Sequence, residues 1–443
     1  MNIKLSDHFT YKKLLRFTLP SIVMMIFSSV YGVVDGFFVS NFAGKTPFAA
    51  VNFIMPLLMI LGCVGFMFGT GGSALVAKTM GEGDREKANR QFSLIVYASI
   101  VTAAIIAALG IIFLRPIASL MGAEGQMLDD CVTYGRIILI ALPAFVLQME
   151  FQSFFIAAEK PTLGLIVTVA AGVTNMVLDF LLVGVFPLGL VGAATATGVS
   201  QAVGGIIPLV YFACPNSGLL RLSGTSFDGR ALIKTCVNGS SELMSNIAMS
   251  TVSILYNAKL LELEGENGVA AYGVLMYVGF IFFAAFIGYT IGIAPIVSYN
   301  YGASNHTEMK GLFKRSIVII GIFSVSMLIL SESLAYPLSL FFVGYDAELL
   351  ALSCRAFAIY SFSFLFAGYA IFCSGFFTAL NDGLTSAIIS FLRTLVFQII
   401  AVLLLAHFMG TNGIWLSLVV AEVMAVAVGA TFIFIHRKKY KYL

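Results

Sequence analysis

The chain has 443 residues, of which 59% are hydrophobic and only 11% charged, with a mean hydropathy of +0.98. A soluble domain carries roughly a quarter of its residues charged, so this balance excludes a cytosolic enzyme, a secreted disulfide scaffold and a nucleic-acid binder, and makes a bilayer the solvent. The 25 Lys and Arg exceed the 22 Asp and Glu by three, too few for an electrostatic footprint, so the positions of the charges carry the information.

Apolar runs between charged or turn-rich breaks predict twelve spans. The first, 14–40, follows Lys12, Lys13 and Arg16. It is too long for a signal-peptide core and no small-residue cleavage site follows, so it is expected to stay in the mature protein. The second, 49–78, ends at Gly81-Glu82-Gly83-Asp84, and the third, 91–114, runs toward the polar stretch 124–130. The fourth, 131–157, stops at Glu159-Lys160-Pro161, and the fifth and sixth follow at 162–184 and 188–212. A Pro-, Asn- and Gly-containing connection over 213–234 then reads as the linker between two domains, 1–212 and 235–443. Beyond it lie 235–260, 268–298, 314–335, 353–379, 384–408 and 413–435, with breaks at 262–267, 302–308, 346–348 and Asn381-Asp382-Gly383.

Orientation follows from the basic residues of the short loops. Taking alternate connections together places nineteen Lys and Arg on one side, from Lys4 through Lys78, Arg85, Lys160, Arg230 and Lys310 to Lys441. The other side has Lys45, Arg115 and Lys259, or five with Arg136 and Arg355. Both ends of the chain are therefore expected in the cytoplasm, which needs an even number of spans. The two halves also match at a constant offset of 221, as in Gly71 with Gly292, Gly81 with Gly302, Pro116 with Pro337 and Gly189 with Gly410. Six spans per half is an even number, so the halves share one orientation. The expected fold is all-α, with twelve transmembrane helices in two six-helix lobes related by a pseudo-twofold along the membrane normal.

A carboxylate near the bilayer centre costs at least about 2.5–3.5 kcal/mol, so each one needs a partner, water or a proton. Asp35 in the first span and Asp179 in the fifth are expected at similar depth in one lobe, with Tyr31 and Asn175 four residues before them. Two such groups in low dielectric cannot both stay ionised cheaply, which suits a proton-exchanging site. At offset 221 they correspond to Tyr256 and Ile400; the scaffold is duplicated but the acids are not. Glu242 and Glu422 are weaker candidates, Arg393 is either a counter-ion or a snorkelling residue, and Glu150 and Glu332 read as solvated near an interface. The six cysteines are scattered singly and read as packing residues, and the four histidines make no ligand spacing, so no metal site is expected. Phe and Met in a central cavity would favour loose binding of flat apolar compounds.

The motifs Ala157-Ala158-Glu159-Lys160-Pro161, Asn175-Met176-Val177-Leu178-Asp179 and Gly192-Ala193-Ala194-Thr195-Ala196-Thr197 resemble the fourth-to-sixth-helix region of the multidrug and toxic compound extrusion family. Met80-Gly81-Glu82-Gly83-Asp84 and Tyr301-Gly302-Ala303-Ser304-Asn305 are similar to its paired cytoplasmic loops. The resemblance covers nearly the whole chain. It implies two lobes that open alternately outward and inward while exchanging a drug for H+ or Na+, with a cation pocket on Tyr31, Asp35, Asn175, Asp179 and Thr197. Many members also carry an acid on the tenth helix, whereas span 353–379 contains no Asp or Glu.

The expected activity is thus secondary-active efflux of cationic amphipathic compounds, with H+ favoured over Na+ as coupling ion and no further cofactor. The protein is expected in a bacterial cytoplasmic membrane as a monomer, with organic cations, drugs and membrane lipids as its partners. The alternative is a flippase for a lipid-linked precursor, which would need several basic residues deep in its cavity where only Arg393 is found. A prenyltransferase-like enzyme would need clustered carboxylates for Mg2+, and Asp129-Asp130 has no further acids in such a pattern.

Overall fold

The computed structural model describes residues 3–38, 45–216, 218–344 and 346–442. Fourteen α-helices occur among them: α1 Tyr11–Phe38, α2 Lys45–Gly62, α3 Val64–Gly81, α4 Arg85–Leu120, α5 Gly125–Ala157, α6 Pro161–Asp179 and α7 Gly189–Ala213, then α8 Gly229–Gly302, α9 His306–Val343, α10 Ala347–Tyr360, α11 Phe364–Ala379, α12 Gly383–Phe391, α13 Phe397–Met409 and α14 Thr411–Tyr440. Residues 39 and 40 of the first predicted span, and Ser217 of the predicted linker, lie outside the described residues.

The spans are continuous helical runs with local breaks. The second predicted span bends at Cys63 between α2 and α3, and the tenth at the 3-10 turn Ser361–Ser363 between α10 and α11. Turns of π-helix follow α6, at Phe180–Val185, and α12, at Leu392–Val396. Eleven runs among the described residues are long and apolar enough to cross a membrane. One of them, α8, has 74 residues and at 1.5 Å per residue would be about 110 Å long, against a hydrocarbon core of about 30 Å. It is broken at Gly265, whose φ of 63° and ψ of −147° are non-helical, so α8 supplies two spans and the total is twelve. The predicted loop at 262–267 is thereby corrected: its polar residues continue the helices and a single glycine makes the bend.

The repeat is visible in the caps. Asp84 accepts a hydrogen bond from the Lys87 N–H at the start of α4, and Asn305, 221 positions on, does the same for Glu308 at the start of α9. The preceding residues Gly83 and Ser304 share the left-handed conformation, with φ of 89° and 54°. The two Gly-containing loops are therefore one helix-turn-helix device used twice.

Three apolar clusters explain how the lobes meet. One is drawn from α2, α4, α5, α7 and the residues around them, such as Ile54, Ala103, Tyr134 and Ala194. A second is drawn from α8–α11, α13 and α14, such as Tyr256, Phe357, Val402 and Trp415. The third joins both halves at the end rich in Lys and Arg, running from Leu5 and Phe9 through Phe92, Phe154 and Ile296 to Phe376 and Tyr442. The lobes are thus fused at the basic end and keep separate cores at the other, which is a V opening away from the basic end. The fusion is made mainly by α3 and α1 against α8.

Along this seam the helices touch through backbone. A Cβ added to Gly81 would overlap the Tyr299 carbonyl oxygen, and one added to Gly302 would overlap that of Lys78. Only glycine permits this approach at both symmetry-related positions. Gly302→Val, and independently Gly81→Val, should wedge the basic end apart. Labelling of a cysteine placed in the seam should then rise about tenfold, the equivalent of about 1.4 kcal/mol in the closing equilibrium. Unchanged labelling in both variants would contradict a seam closed by glycine contact.

Residues 3–10 lie across the same end as a strap. The Leu5 N–H donates to Glu159 Oε1 in the loop before α6 at 2.6 Å, while the Leu5 carbonyl accepts from Asn300 Nδ2 in α8 at 3.3 Å. The Phe9 N–H donates to Glu308 Oε1 at 2.9 Å, and His8 Nδ1 and Arg315 Nη1 meet the same carboxylate at 2.6 Å and 3.3 Å. Two acids, one from each lobe, therefore hold one short segment by its backbone.

Candidate functional site

The N-terminal lobe gathers its polar residues where α1, α5, α6 and α7 converge. Asp179 is the last residue of α6, immediately before the π-helical turn, and Asn175 lies one turn earlier. A π-turn widens the helix and redirects the side chains at its edge. Asp179 and Asn175 are buried, at 0% and 1% exposure, and Asp35 from α1 is half-buried. The Asp35 carboxyl faces Asp179, Asn175 and Thr197. Tyr134 of α5 closes the same space beside Thr197 and both acids, and Tyr31 faces Gln148 one turn below Asp35.

The five residues Tyr31, Asp35, Asn175, Asp179 and Thr197 are therefore one cluster. Tyr134 and Gln148 belong with it and were not singled out by sequence. Gln148 had a signal, since Gln148, Glu150 and Gln152 alternate through an otherwise apolar span; Tyr134 had none.

The cluster holds more acceptors than donors. No protein donor reaches Asp35 Oδ1, either carboxyl oxygen of Asp179, Asn175 Oδ1 or Thr197 Oγ1. Buried polar atoms left in this way are expensive unless something pairs with them. Two carboxyls, an amide oxygen and a hydroxyl form an all-oxygen set that suits a proton or a small hard cation such as Na+.

A second charged group lies in the C-terminal lobe. Arg393, in the π-helical turn after α12, donates to Glu422 of α14 through Nε at 2.9 Å and Nη2 at 2.8 Å, a two-pronged pair. Glu422 is 1% exposed, so Arg393 is a counter-ion and does not snorkel. Glu242 of α8 is half-buried. It lies within the influence of the Arg393 charge on its own lobe and of Cys63 across the seam. Beside this group runs a chain of hydroxyls in which Ser374 meets Ser390 at 2.7 Å and Thr378 meets Ser386 at 2.7 Å. Among the described residues α10 and α11 carry Glu348 as their only acid, in the first turn of α10, and the polar groups of α11 in this chain of contacts are neutral hydroxyls.

Glu150 is not the solvated acid that its position suggested. It is fully buried, accepts a hydrogen bond from Ser99 of α4 and keeps Oε1 unpartnered. The sequence placed it near the end of its span, and α5 does end at Ala157, but that last stretch packs against α3 and α4, so the acid faces helices and not water. Glu332 is exposed as expected.

Comparison with known proteins agrees with this architecture. The chain is 26% identical over 415 residues to the multidrug export protein MepA of Staphylococcus haemolyticus, covering 93% of this chain and 90% of that one. It is 23% identical over 431 residues to MepA of Staphylococcus aureus strain MRSA252, covering 97% and 94%. Among solved structures it resembles a MATE protein crystallised with MaL6, at a TM-score of 0.93 and 20% identity over 98% of both chains. It also resembles the outward-facing conformation of a multidrug resistance MATE family transporter of the MOP superfamily, at a TM-score of 0.90 and 21% identity over 98% of both chains. The sequence model of the MatE family matches residues 20–181 and again 243–404, one match per lobe, and with the twelve spans and two lobes this establishes that the chain belongs to the MatE family of multidrug and toxic compound extrusion transporters.

Proposed function

We propose that this protein is a secondary-active antiporter that exports cationic amphipathic compounds in exchange for a coupling ion, H+ in preference to Na+. The observation that carries this reading is the Asp35 and Asp179 pair in one lobe, Asp35 half-buried and Asp179 fully buried, with Asp35 Oδ1 and both Asp179 oxygens unpartnered. When bound, the ion neutralises that pair. Asp35, Asp179, Asn175 and Thr197 would hold it, with the Tyr134 and Tyr31 side chains beside them. Drug and ion need only favour opposite charge states of the two acids for exchange to follow by linkage. The export function named for the MepA relatives supports the substrate class.

Neutral hydroxyls on α11, where a second acid is absent, favour the proton. Arg393, already neutralised by Glu422, offers no free charge for a pyrophosphate, which weighs against the flippase. The orientation that fits is both ends of the chain in the cytoplasm of a bacterial inner membrane, with the V open to the outside.

Proteoliposomes with separately imposed pH and Na+ gradients test the reading. Accumulation of several unrelated cationic dyes should follow the pH gradient. Transport driven by Na+ at constant pH with no response to a pH gradient would overturn the proton assignment, and translocation of a lipid-linked anion alone would overturn the antiporter.

A further inference from the structure

The end of α14 and the first turn of α9 border an open surface pocket of about 520 Å³ lined by His306, Lys310, Arg437, Lys438 and Lys441. All five lining residues are basic, and among the described residues none of Lys310, Arg437, Lys438 or Lys441 has an ion-pair partner. The carboxylates at these helix ends are engaged elsewhere. Glu308 is taken up by Phe9, His8 and Arg315, and Asp382 by Tyr440 at 2.7 Å and Lys439 at 3.6 Å. His306 Nδ1 is buried without a hydrogen-bond partner.

The cavity wall is fixed in place. Lys441 adopts a left-handed conformation with φ of 54° that ends α14. Beyond it Tyr442 is fully buried and donates to the Ile433 carbonyl at 2.7 Å. The Arg437 guanidinium stacks 3.6 Å over the ring of Phe434. Phe434 and Ile435 are 60% and 63% exposed, so the basic cavity adjoins an apolar face directed at lipid.

The pseudosymmetric place in the other lobe shows what such a cavity needs. At offset 221, His306, Lys310 and Arg437 correspond to Arg85, Asn89 and Asn216. There the chain after α7 folds back as the inter-lobe connection and fills the space. Arg85 donates to the Gly218 and Leu219 carbonyls at 3.2 Å and 3.3 Å, and Asn89 accepts from the Arg221 N–H at 2.9 Å. The N-terminal lobe thus satisfies its basic residue with backbone oxygens. In the C-terminal lobe the helix continues as α14 to Tyr440, and more positive charge is gathered around the corresponding space.

We propose that this cavity binds a phosphate-bearing anion, supplied by the headgroup of an anionic phospholipid whose chains lie along Phe434 and Ile435. Guanidinium and ammonium groups suit a phosphodiester, and a basic pocket between helices at the membrane boundary is a headgroup site by its chemistry. The inference rests on the membrane fold and not on the transport reading.

The test uses the full chain purified in detergent and native mass spectrometry with short-chain phosphatidylglycerol, phosphatidylcholine, and the water-soluble headgroup glycerophosphoglycerol. Phosphatidylglycerol should bind at least about tenfold more tightly than phosphatidylcholine, and each charge removed should cost about fivefold, from the value of one basic residue at an anionic lipid surface. The variants are Arg437→Gln with Lys438→Gln, and Lys310→Gln alone, which remains informative if the double variant folds poorly. Lys87→Gln with Arg90→Gln, in a cavity of the N-terminal lobe that also contains Asp84 and Asp228, should leave binding unchanged. Equal binding of the two lipids, or no loss in either cavity variant, would overturn the site. Binding of the soluble headgroup as tightly as the lipid would overturn the lipid as its source.

Discussion

Asp179→Asn and Asp35→Asn should each cut gradient-driven export steeply while leaving the protein folded. Asparagine keeps the size of the side chain and adds a donor where Asp35 Oδ1 and both Asp179 oxygens have none, so packing and burial are preserved or improved. Each substitution removes one of the two titratable charges of the pair through which the ion and the drug are linked. Driven transport should therefore fall by the full linkage factor, about 5- to 150-fold, while dye binding to the purified protein persists. Tyr134→Phe, which removes a hydroxyl facing the pair, and Glu242→Gln should each stay within about fivefold, the lower edge of that range. The measurement is initial rate in proteoliposomes under a fixed pH gradient. Wild-type rates in both Asn variants would remove the pair from the mechanism.

Arg393→Met should be the most destabilising single change in the C-terminal lobe. It leaves Glu422, 1% exposed, without the two donors that now hold it, and breaking a buried pair from one side costs about 3–5 kcal/mol. Replacing both partners, as Arg393→Met with Glu422→Leu, removes the orphaned charge and should recover most of that loss. Glu422→Gln should be intermediate, because the freed guanidinium still has Glu242 within its influence. Thermal melting in detergent distinguishes the three. A single variant as stable as wild type, or a double variant less stable than the single, would show that the pair is not the anchor of α12–α14.

Much of this was legible in the sequence because a bilayer imposes strict rules. Spans, loops and the duplicated caps follow from hydropathy and from Gly83-Asp84 and Ser304-Asn305 falling at one offset. Asp35 and Asp179 stood out because an acid in an apolar run needs a reason. What the sequence hid was pairing. Nothing in the order of residues joins Arg393 to Glu422, or Ser99 to Glu150, because these contacts cross between helices whose faces are apolar all round and carry no periodic signal. Tyr134 looked like any aromatic near the start of a span. The π-turn at Leu392–Val396 was equally hidden, since it has neither Gly nor Pro at the break.

The strap made by residues 3–10 also sets an order on assembly. Its partners are Glu159, Asn300 and Glu308, so the strap is made nearly three hundred residues before the last of the groups that hold it. At about 5–20 residues per second that interval is about 15–60 s. During it the spans of the first lobe are made, and the strap still lacks the part of its cover that comes from the second lobe. Leu5 and Phe9 end at 0% exposure in a cluster that draws residues from both lobes. The strap is therefore a late closure in biogenesis, and a nascent chain stalled before Glu308 would keep its first residues open to protease until synthesis resumed.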